Sequence, residues 1–460
     1  MAAKRPRTQM SEQDAHKRVT NFLEVALGYT LEEAKLEATR CIDCKNPRCV
    51  TECPVGVDIP RFIKQLEAED LDGAFDTIYN DNILPAICGR VCPQESQCEG
   101  ACILGIKGEP VSIGALERFI GDHGMNNNLA DITVPEEKPQ RVAVVGSGPA
   151  GLANAASLRK KGYKVTVFEA LHAYGGVLNY GIPDFRLPKD IVKKEIENLK
   201  EMGVKFVKNA IIGKSITIEQ LKEDGYEAIF IGSGAGLPSG LGIPGENYNG
   251  VYFANEFLTR VNLMRSRNFP QAATPVKLGD TVAVVGGGNV AMDAARTAKR
   301  IGAKRVIVIY RRDEASLPAR LDEIHHAKQE GIEFNLLHNP VEIYGKDYEV
   351  TAVKCEKMKL GEPDSSGRRR PLPTGEFETF DINAIIISIG QKPNPIIKQN
   401  TMDLDTHDWG GIKVDETLKT SLEGVYAGGD AVTGAATVIL AMGAGKDAAK
   451  HMHDFLQTNR

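Results

Sequence analysis

The chain has no apolar run approaching the roughly 18–20 residues that a membrane-spanning helix requires, so no membrane association is expected. It has no strong charge imbalance either. The 56 Lys+Arg face 61 Asp+Glu, a formal net charge of −5, and this gives no basic surface to hold nucleic acid. The first residues, MAAKRPRTQMSEQDAHKR, lack the apolar stretch of a secretory signal. They read as a polar tail, or as a docking arm for a partner subunit. Cysteine is almost absent outside one segment: of 9 in the chain, only Cys355 lies beyond Cys41–Cys102. Disulfides in an oxidising compartment would be spread along the chain, so this clustering argues for metal or cluster binding in a cytoplasmic protein.

What is present falls into two parts. Residues 1–140 read as mostly helical: TLEEAKLEATR and DIPRFIKQLEAEDLDGAFDTIYND carry apolar positions at helical spacing, separated by loops rich in Cys and Pro. TVPEEKPQ, near 132–140, reads as a linker. Beyond it the pattern alternates strand and helix. RVAVVGSGPAGLANAASLRKKGYKVTVFEA is strand, Gly-rich turn, helix, strand, and TVAVVGGGNVAMDAARTAKRIGAKRVIVIYRR repeats the design. The repeat predicts two doubly wound dinucleotide-binding units. A last segment, GVYAGGDAVTGAATVILAMGAGKDAAKHM, reads as strand, tight turn and helix that complete one of the two sheets.

In the first unit Gly146-x-Gly148-x-x-Gly151 follows the strand Val142–Val145 and opens a helix at Ala150. The glycines serve the sharp turn, the close approach of a pyrophosphate and the packing of helix on strand, in that order. The helix start offers free N–H groups to phosphate. Glu169 ends the next strand, placed to accept from a ribose hydroxyl and to repel a 2′-phosphate; this suits FAD or NAD. In the second unit Gly286-x-Gly288-Asn289-x-Ala291 follows Val282–Val285, and the next strand ends in Arg311-Arg312 where an acid would stand. Two guanidiniums there suit the 2′-phosphate of NADP(H). Asp293, one turn into that helix, reads as structural. Two such sites in one chain suggest a fixed flavin and a diffusing nicotinamide exchanging hydride, which needs no acid–base side chain. No catalytic residue is therefore assigned, and His325-His326 reads as a partly exposed helical face.

The cysteines fall as Cys41-x2-Cys44-x4-Cys49-x3-Cys53-Pro54 and Cys88-x3-Cys92-x5-Cys98-x3-Cys102. The first run is close to the bacterial ferredoxin pattern, with x4 where that pattern has x2. Eight cysteines would satisfy two [4Fe–4S] clusters; zinc is the alternative, though redox-inert beside a flavin.

The cysteine segment, RVAVVGSGPAGL, YGIPDFRLPK, VVGGGNVAMD, YRRDE and GVYAGGDAVTGAATV together resemble the glutamate-synthase small-subunit family over about residues 15–455. That family includes the iron–sulfur flavoprotein portion of dihydropyrimidine dehydrogenase. It also includes the large subunit of the electron-bifurcating NADH-dependent reduced ferredoxin:NADP oxidoreductase. The resemblance implies an α/β fold with an N-terminal α-helical double [4Fe–4S] domain. Two doubly wound domains would follow in the adrenodoxin/thioredoxin-reductase manner, the NADP domain inserted in the FAD domain. The divisions expected are 1–140, 141–258, 259–384 and 385–460. FAD, two [4Fe–4S] clusters and NADP(H) are the implied cofactors. One cluster would take Cys41, Cys44, Cys49 and Cys102. The other would take Cys53, Cys92, Cys98 and Glu117, leaving Cys88 a structural thiol. Gly176, Arg186, Gly429, Asp430, Ala436 and Thr437 are further implied cofactor contacts.

Two members of the family compete. One is the bifurcating large subunit, feeding ferredoxin and a partner subunit that carries flavin or iron–sulfur. The other is a glutamate synthase small subunit, feeding a large synthase subunit. Lys45 and Gly56 stand where the true synthase small subunit typically has Gly and His, and they favour the first. The NADP region lacks Cys-x-x-Cys, so disulfide reduction is disfavoured.

Overall fold

The computed structural model describes residues 5–364 and 367–458. The N-terminal region is helical, and each helix begins on a local signal. Helix α1, Leu31–Ala38, opens on a capping box in which Thr30 and Glu33 satisfy each other's backbone N–H. The long stretch after Cys53 divides into α2, Ile59–Glu67, and α3, Leu71–Tyr79. The division falls at Glu69, in the left-handed region at φ +62°, after which Asp70 caps α3 through Gly73 N–H. Helix α4, Pro85–Val91, starts on proline, and α5 spans Ile113–Asn126. Residues 128–140 contain no helix or strand, as the linker composition predicts.

Two parallel sheets follow. The first contains β1 Arg141–Val145, β2 Lys164–Glu169, β3 Lys205–Lys208 and β4 Tyr226–Ile231. It is completed by Val425–Ala427 at the far end of the chain, which pairs with β4 in parallel. So the last segment returns to the first unit, and the second unit is an insertion within it. The second sheet is built on Thr281–Val285 and Arg305–Tyr310. Its strand Ala384–Ile387 pairs with an edge strand Val251–Phe253. These edges overrun the 259–384 span read from the sequence, because a three-residue strand leaves no periodic pattern. A three-stranded antiparallel sheet, His338–Lys346, Glu349–Pro363 and Arg369–Asp381, is also inserted in the second unit. The motif reading did not anticipate it. Among the described residues no helix is long and apolar enough to cross a membrane.

The last helix, Val438–Thr458, has contacts on both sides. Residues two apart on a helix point roughly 200° apart, so Gly443 and Gly445 open opposite faces. A Cβ on Gly443 would lie 2.8 Å from Pro54 O, beside Cys53, and one on Gly445 would collide with Ala150 O in the first glycine-motif helix, Pro149–Arg159. Lys446 fixes the first contact by donating to Val55 O (3.0 Å) and Asp81 Oδ1 (2.7 Å). Asn154 fixes the second by donating to Gly445 O at 3.1 Å.

Glu195, on the helix Lys189–Glu201, is buried, and burial pushes its carboxyl up to about 8.

Two outcomes follow for stability. Gly445→Val should destabilise the protein by about 1–3 kcal/mol, read by thermal unfolding, because the two helices must separate. Between the ordinary glutamate value of about 4.3 and about 8 the unfolded state holds fewer protons than the folded one, so stability falls as pH rises. Glu195→Gln should therefore raise the melting temperature near pH 8 and change it little near pH 4.5.

Candidate cofactor and cluster sites

The first glycine turn is held by its own loops. Gly146 has φ +100°, where L side chains are strained, and Gly151 has no room for a Cβ against Gly146 O. Gly148 faces open space and leads into the helix Pro149–Arg159 with no side-chain cap, so its first N–H groups stay available. Glu169 accepts from Ser147 N–H at 3.0 Å, from Ser147 Oγ, and from Leu171 N–H at 2.8 Å. Ser147 Oγ in turn accepts from Gly175 N–H. A Cβ on Gly176 would lie 2.9 Å from Gly148 Cα, so the two loops meet back to back.

The final segment joins them. Gly429 (φ +66°) sits against Ala150, and Asp430 accepts from Ala436 N–H at 3.2 Å. Thr437 Oγ caps the last helix by accepting from Leu440 N–H. Tyr180, which the motif reading passed over, lies close to both Glu169 and Asp430. Burial, with those two carboxylates adding, pushes its hydroxyl up to about 12. The signal was present in the sequence as the aromatic of YGIP. Arg186 donates to Asp293 Oδ2 at 2.7 Å and pairs with Glu323 at 3.0 Å.

The second turn repeats the design. Gly286 has φ +138° and no room for a Cβ against Ser388 O, and Gly288 again opens an uncapped helix, Asn289–Arg300. Asn289 Oδ1 accepts from Arg320 N–H at 3.0 Å, and Ala291 is fully buried. Arg311 is exposed and has no hydrogen bond or ion pair among the described residues. Arg312 donates through Nε to Arg369 O at 3.1 Å, from the inserted antiparallel sheet. Asp293 is structural, as its place in the helix suggested.

The cysteines sort into two groups. Burial raises the Cys41 thiol, with Cys102 and Cys44 close enough to add to it. Burial also lifts Cys49 to about 11, followed by Cys41, Cys102 and Cys44. Cys53, Cys92, Cys98 and Glu117 line one cavity, together with Ile439 of the last helix. Burial pushes the Glu117 carboxyl up to about 7, opposed by the hydrogen bond from Asn82 Nδ2 at 2.7 Å. Cys88 is fully buried and is not among the residues lining that cavity. Its Sγ lies 3.6 Å from Asn82 Oδ1 and 3.6 Å from Met442 Sδ.

Among the described residues no three His, Cys, Asp or Glu side chains close on a single ion position. Thiols disfavoured as anions by burial fit a site whose charge comes from iron, since a coordinated metal reverses that preference. The donor sets and the two uncapped helix starts thus fit the iron–sulfur and dinucleotide groups.

Comparison with known proteins agrees with this layout. Residues 18–129 match the family described as dihydropyrimidine dehydrogenase domain II, 4Fe-4S cluster. Residues 140–445 match the pyridine nucleotide-disulphide oxidoreductase family. The glutamate synthase [NADPH] small chain of Halomonas elongata is 35% identical over 98% of this chain and 96% of its own. The NADP(+)-dependent formate dehydrogenase subunit beta of Moorella thermoacetica is 38% identical over 89% of this chain and 60% of its own. An NADPH-Fe(3+) oxidoreductase subunit beta of Geobacter sulfurreducens is 34% identical over 96% of this chain and 68% of its own. Among solved structures, a mutant of FprA from Mycobacterium tuberculosis superposes with a TM-score of 0.59 at 22% identity, covering 70% of this chain and 85% of that one. Thioredoxin reductase from T. acidophilum gives 0.52 at 20% identity, covering 69% and 98%. These structures share the fold of the two sheet-bearing units.

The arrangement yields one local expectation. Gly148→Val would place a branched side chain in the open space of the first turn. It should reduce the flavin content of the purified protein several-fold, read by absorbance, with the melting temperature of the flavin-free fraction little changed.

Proposed function

The chain belongs to the pyridine nucleotide-disulphide oxidoreductase family, with the glutamate synthase small chains among its relatives, and on that premise we propose that it is the electron-delivering subunit of a larger complex. It is an NADPH-dependent FAD/iron–sulfur oxidoreductase. When bound, these cofactors supply hydride exchange between nicotinamide and flavin and one-electron passage through the clusters. One observation carries the delivery role. The last helix begins at the Asp430–Thr437 turn, beside the first glycine motif, and its residue Ile439 lines the cavity of Cys53, Cys92, Cys98 and Glu117. The flavin end and that cluster end are therefore joined by one rigid element. Cys41, Cys44, Cys49 and Cys102 form the outer set, on half-buried positions.

In this reading the backbone of Gly146–Gly151 and Gly429–Asp430 holds FAD, with Gly176 allowing the approach. Gly286–Ala291 holds the nicotinamide dinucleotide, and Arg311 with Arg312 selects its 2′-phosphate. The unpartnered Arg311 supports this, since a free guanidinium at that strand end is ready for a bidentate anion. Glu117 completes the ligands of the inner cluster, and Asn82 fixes one of its oxygens.

Two destinations for the electrons remain in competition. Lys45 and Gly56 favour the bifurcating reading, in which ferredoxin and a partner subunit each receive one electron. The near full-length match to glutamate synthase small chains favours delivery to a large synthase subunit. Anaerobic mixing of the chain and its co-purifying partner with NADPH, NAD and ferredoxin separates them. Ferredoxin reduction that requires NAD is the bifurcating outcome, and reduction independent of NAD removes it.

Arg311→Ala is expected to raise the NADPH KM about tenfold, or about 1.4 kcal/mol, and the NADH KM far less. Equal effects would show that the 2′-phosphate binds elsewhere. Glu117→Ala should lose one cluster, lowering iron per chain by about half. Iron analysis showing two intact clusters would remove Glu117 from the ligands.

A further inference from the structure

Four buried arginines gather where the N-terminal segment and the two dinucleotide units meet. Arg186 comes from the first unit, Arg296 and Arg300 from the second, and Arg18 from the N-terminal segment. Asp293, Glu323 and Glu330 of the second unit are their carboxylate partners, and Arg18 also pairs with Glu12 of its own segment at 3.3 Å. Glu330 accepts from Arg18 Nε (2.9 Å), from Arg296 Nη2 (2.9 Å) and from Arg300 Nη1 (2.6 Å). Glu323 pairs with both Arg186 and Arg296. Burial would raise the Glu330 carboxyl, but the guanidiniums of Arg300 and Arg296 hold it down at about 2. Phe185, fully buried beside Arg186, lies under Arg300 at 4.0 Å and Arg296 at 4.7 Å and faces Phe22 of the N-terminal segment at 6.2 Å.

The N-terminal segment is anchored at both ends on the cysteine-bearing region. Arg7 pairs with Glu99 at 2.8 Å, next to Cys98, and Thr8 N–H donates to Glu37 at 2.7 Å. Gly28 lies against Arg118. Between these anchors it donates Val25 N–H to Phe185 O (3.0 Å) and inserts Arg18, with Nη2 donating to Gln329 at 2.7 Å. His326 Nε2 lies 2.9 Å from Glu12 Oε1 at the rim. One strap thus touches all three parts of the molecule. Neighbouring units of a chain move relative to one another by default unless their interface holds them, and planar guanidinium forks fix angle as well as distance.

We propose that Arg18 is a positioning residue: together with the ion pairs of Arg186 it locks the second dinucleotide unit in one orientation on the first, with the N-terminal strap as the closing piece. The proposal rests on the two-site reading above. Hydride transfer needs the reacting rings aligned to within about an ångström, and the relative orientation of the two units sets that alignment.

The test uses the holoprotein with Arg18→Met, which keeps length and apolar bulk, and Arg18→Lys. At saturating NADPH, Arg18→Met should bleach the flavin about tenfold more slowly or worse, with the NADPH dissociation constant and FAD content nearly unchanged. Arg18→Lys should recover part of the rate. Hydrogen exchange, read without NADPH, should rise in Leu321–Gln329 of the variant while the first sheet keeps its protection. Glu12→Gln, at the half-exposed rim, folds whatever Arg18→Met does and should slow bleaching about threefold. Unchanged bleaching overturns the proposal, as does a slower rate matched by lost FAD or by equally weakened NADPH binding. If NADPH bleaches no flavin even in the parent protein, the function reading fails instead. Exchange then decides alone: unchanged protection in Leu321–Gln329 overturns the lock, and increased protection loss there supports it.

Discussion

The structure depends on how closely one helix can approach two neighbours at once. Val438–Thr458 lies between the Cys53–Pro54 turn and the helix Pro149–Arg159, and glycine at 443 and at 445 makes both approaches possible. Any Cβ at either place meets a backbone carbonyl oxygen, which cannot be moved aside as a flexible side chain can. The helix therefore fixes the distance between the first glycine turn and the cavity of Cys53, Cys92, Cys98 and Glu117.

Electrostatics supplies a second constraint of the same kind. Buried guanidinium–carboxylate groups add little net stability, because desolvation offsets attraction, but removing one partner leaves a stranded charge at a cost of about 3–5 kcal/mol. Such groups specify geometry. Here they lie at the junction of the two dinucleotide units, where geometry matters most for hydride exchange. The cluster cavity makes the opposite use of burial. Burial disfavours the anionic forms of Cys98 and Glu117 there, a preference that a bound cationic core would reverse.

Much of this was legible in the sequence where the signal is local. Gly146–Gly151 and Gly286–Ala291 are read from spacing alone, since turn, helix start and strand lie within a few residues. The pattern of the final segment showed that it completes one of the two sheets, and the pairing of Val425–Ala427 with Tyr226–Ile231 shows that it is the first. The pairing of Cys102 with Cys41, and of Glu117 with Cys53, is a long-range contact that spacing cannot specify; only resemblance suggested it. Arg186, which the resemblance implies as a cofactor contact, also pairs with internal carboxylates, and those pairs are not legible from its motif. Its carboxylates, Asp293 and Glu323, lie more than a hundred residues away. Tyr180 was missed because an aromatic inside a loop motif looks like packing. The inserted antiparallel sheet leaves only a weak local trace, the alternation in EVTAVKCEKMKL, with no glycine motif to mark it.

The central claim is that electrons leave the flavin end through the cavity of Cys53, Cys92, Cys98 and Glu117 before reaching the outer four cysteines. Anaerobic mixing of the Glu117→Ala holoprotein with NADPH tests it most directly, with flavin absorbance and the paramagnetic signal of the remaining cluster followed together. The account predicts flavin bleaching at the parent rate and a cluster signal that develops far more slowly than in the parent. A signal that develops at the parent rate would contradict it.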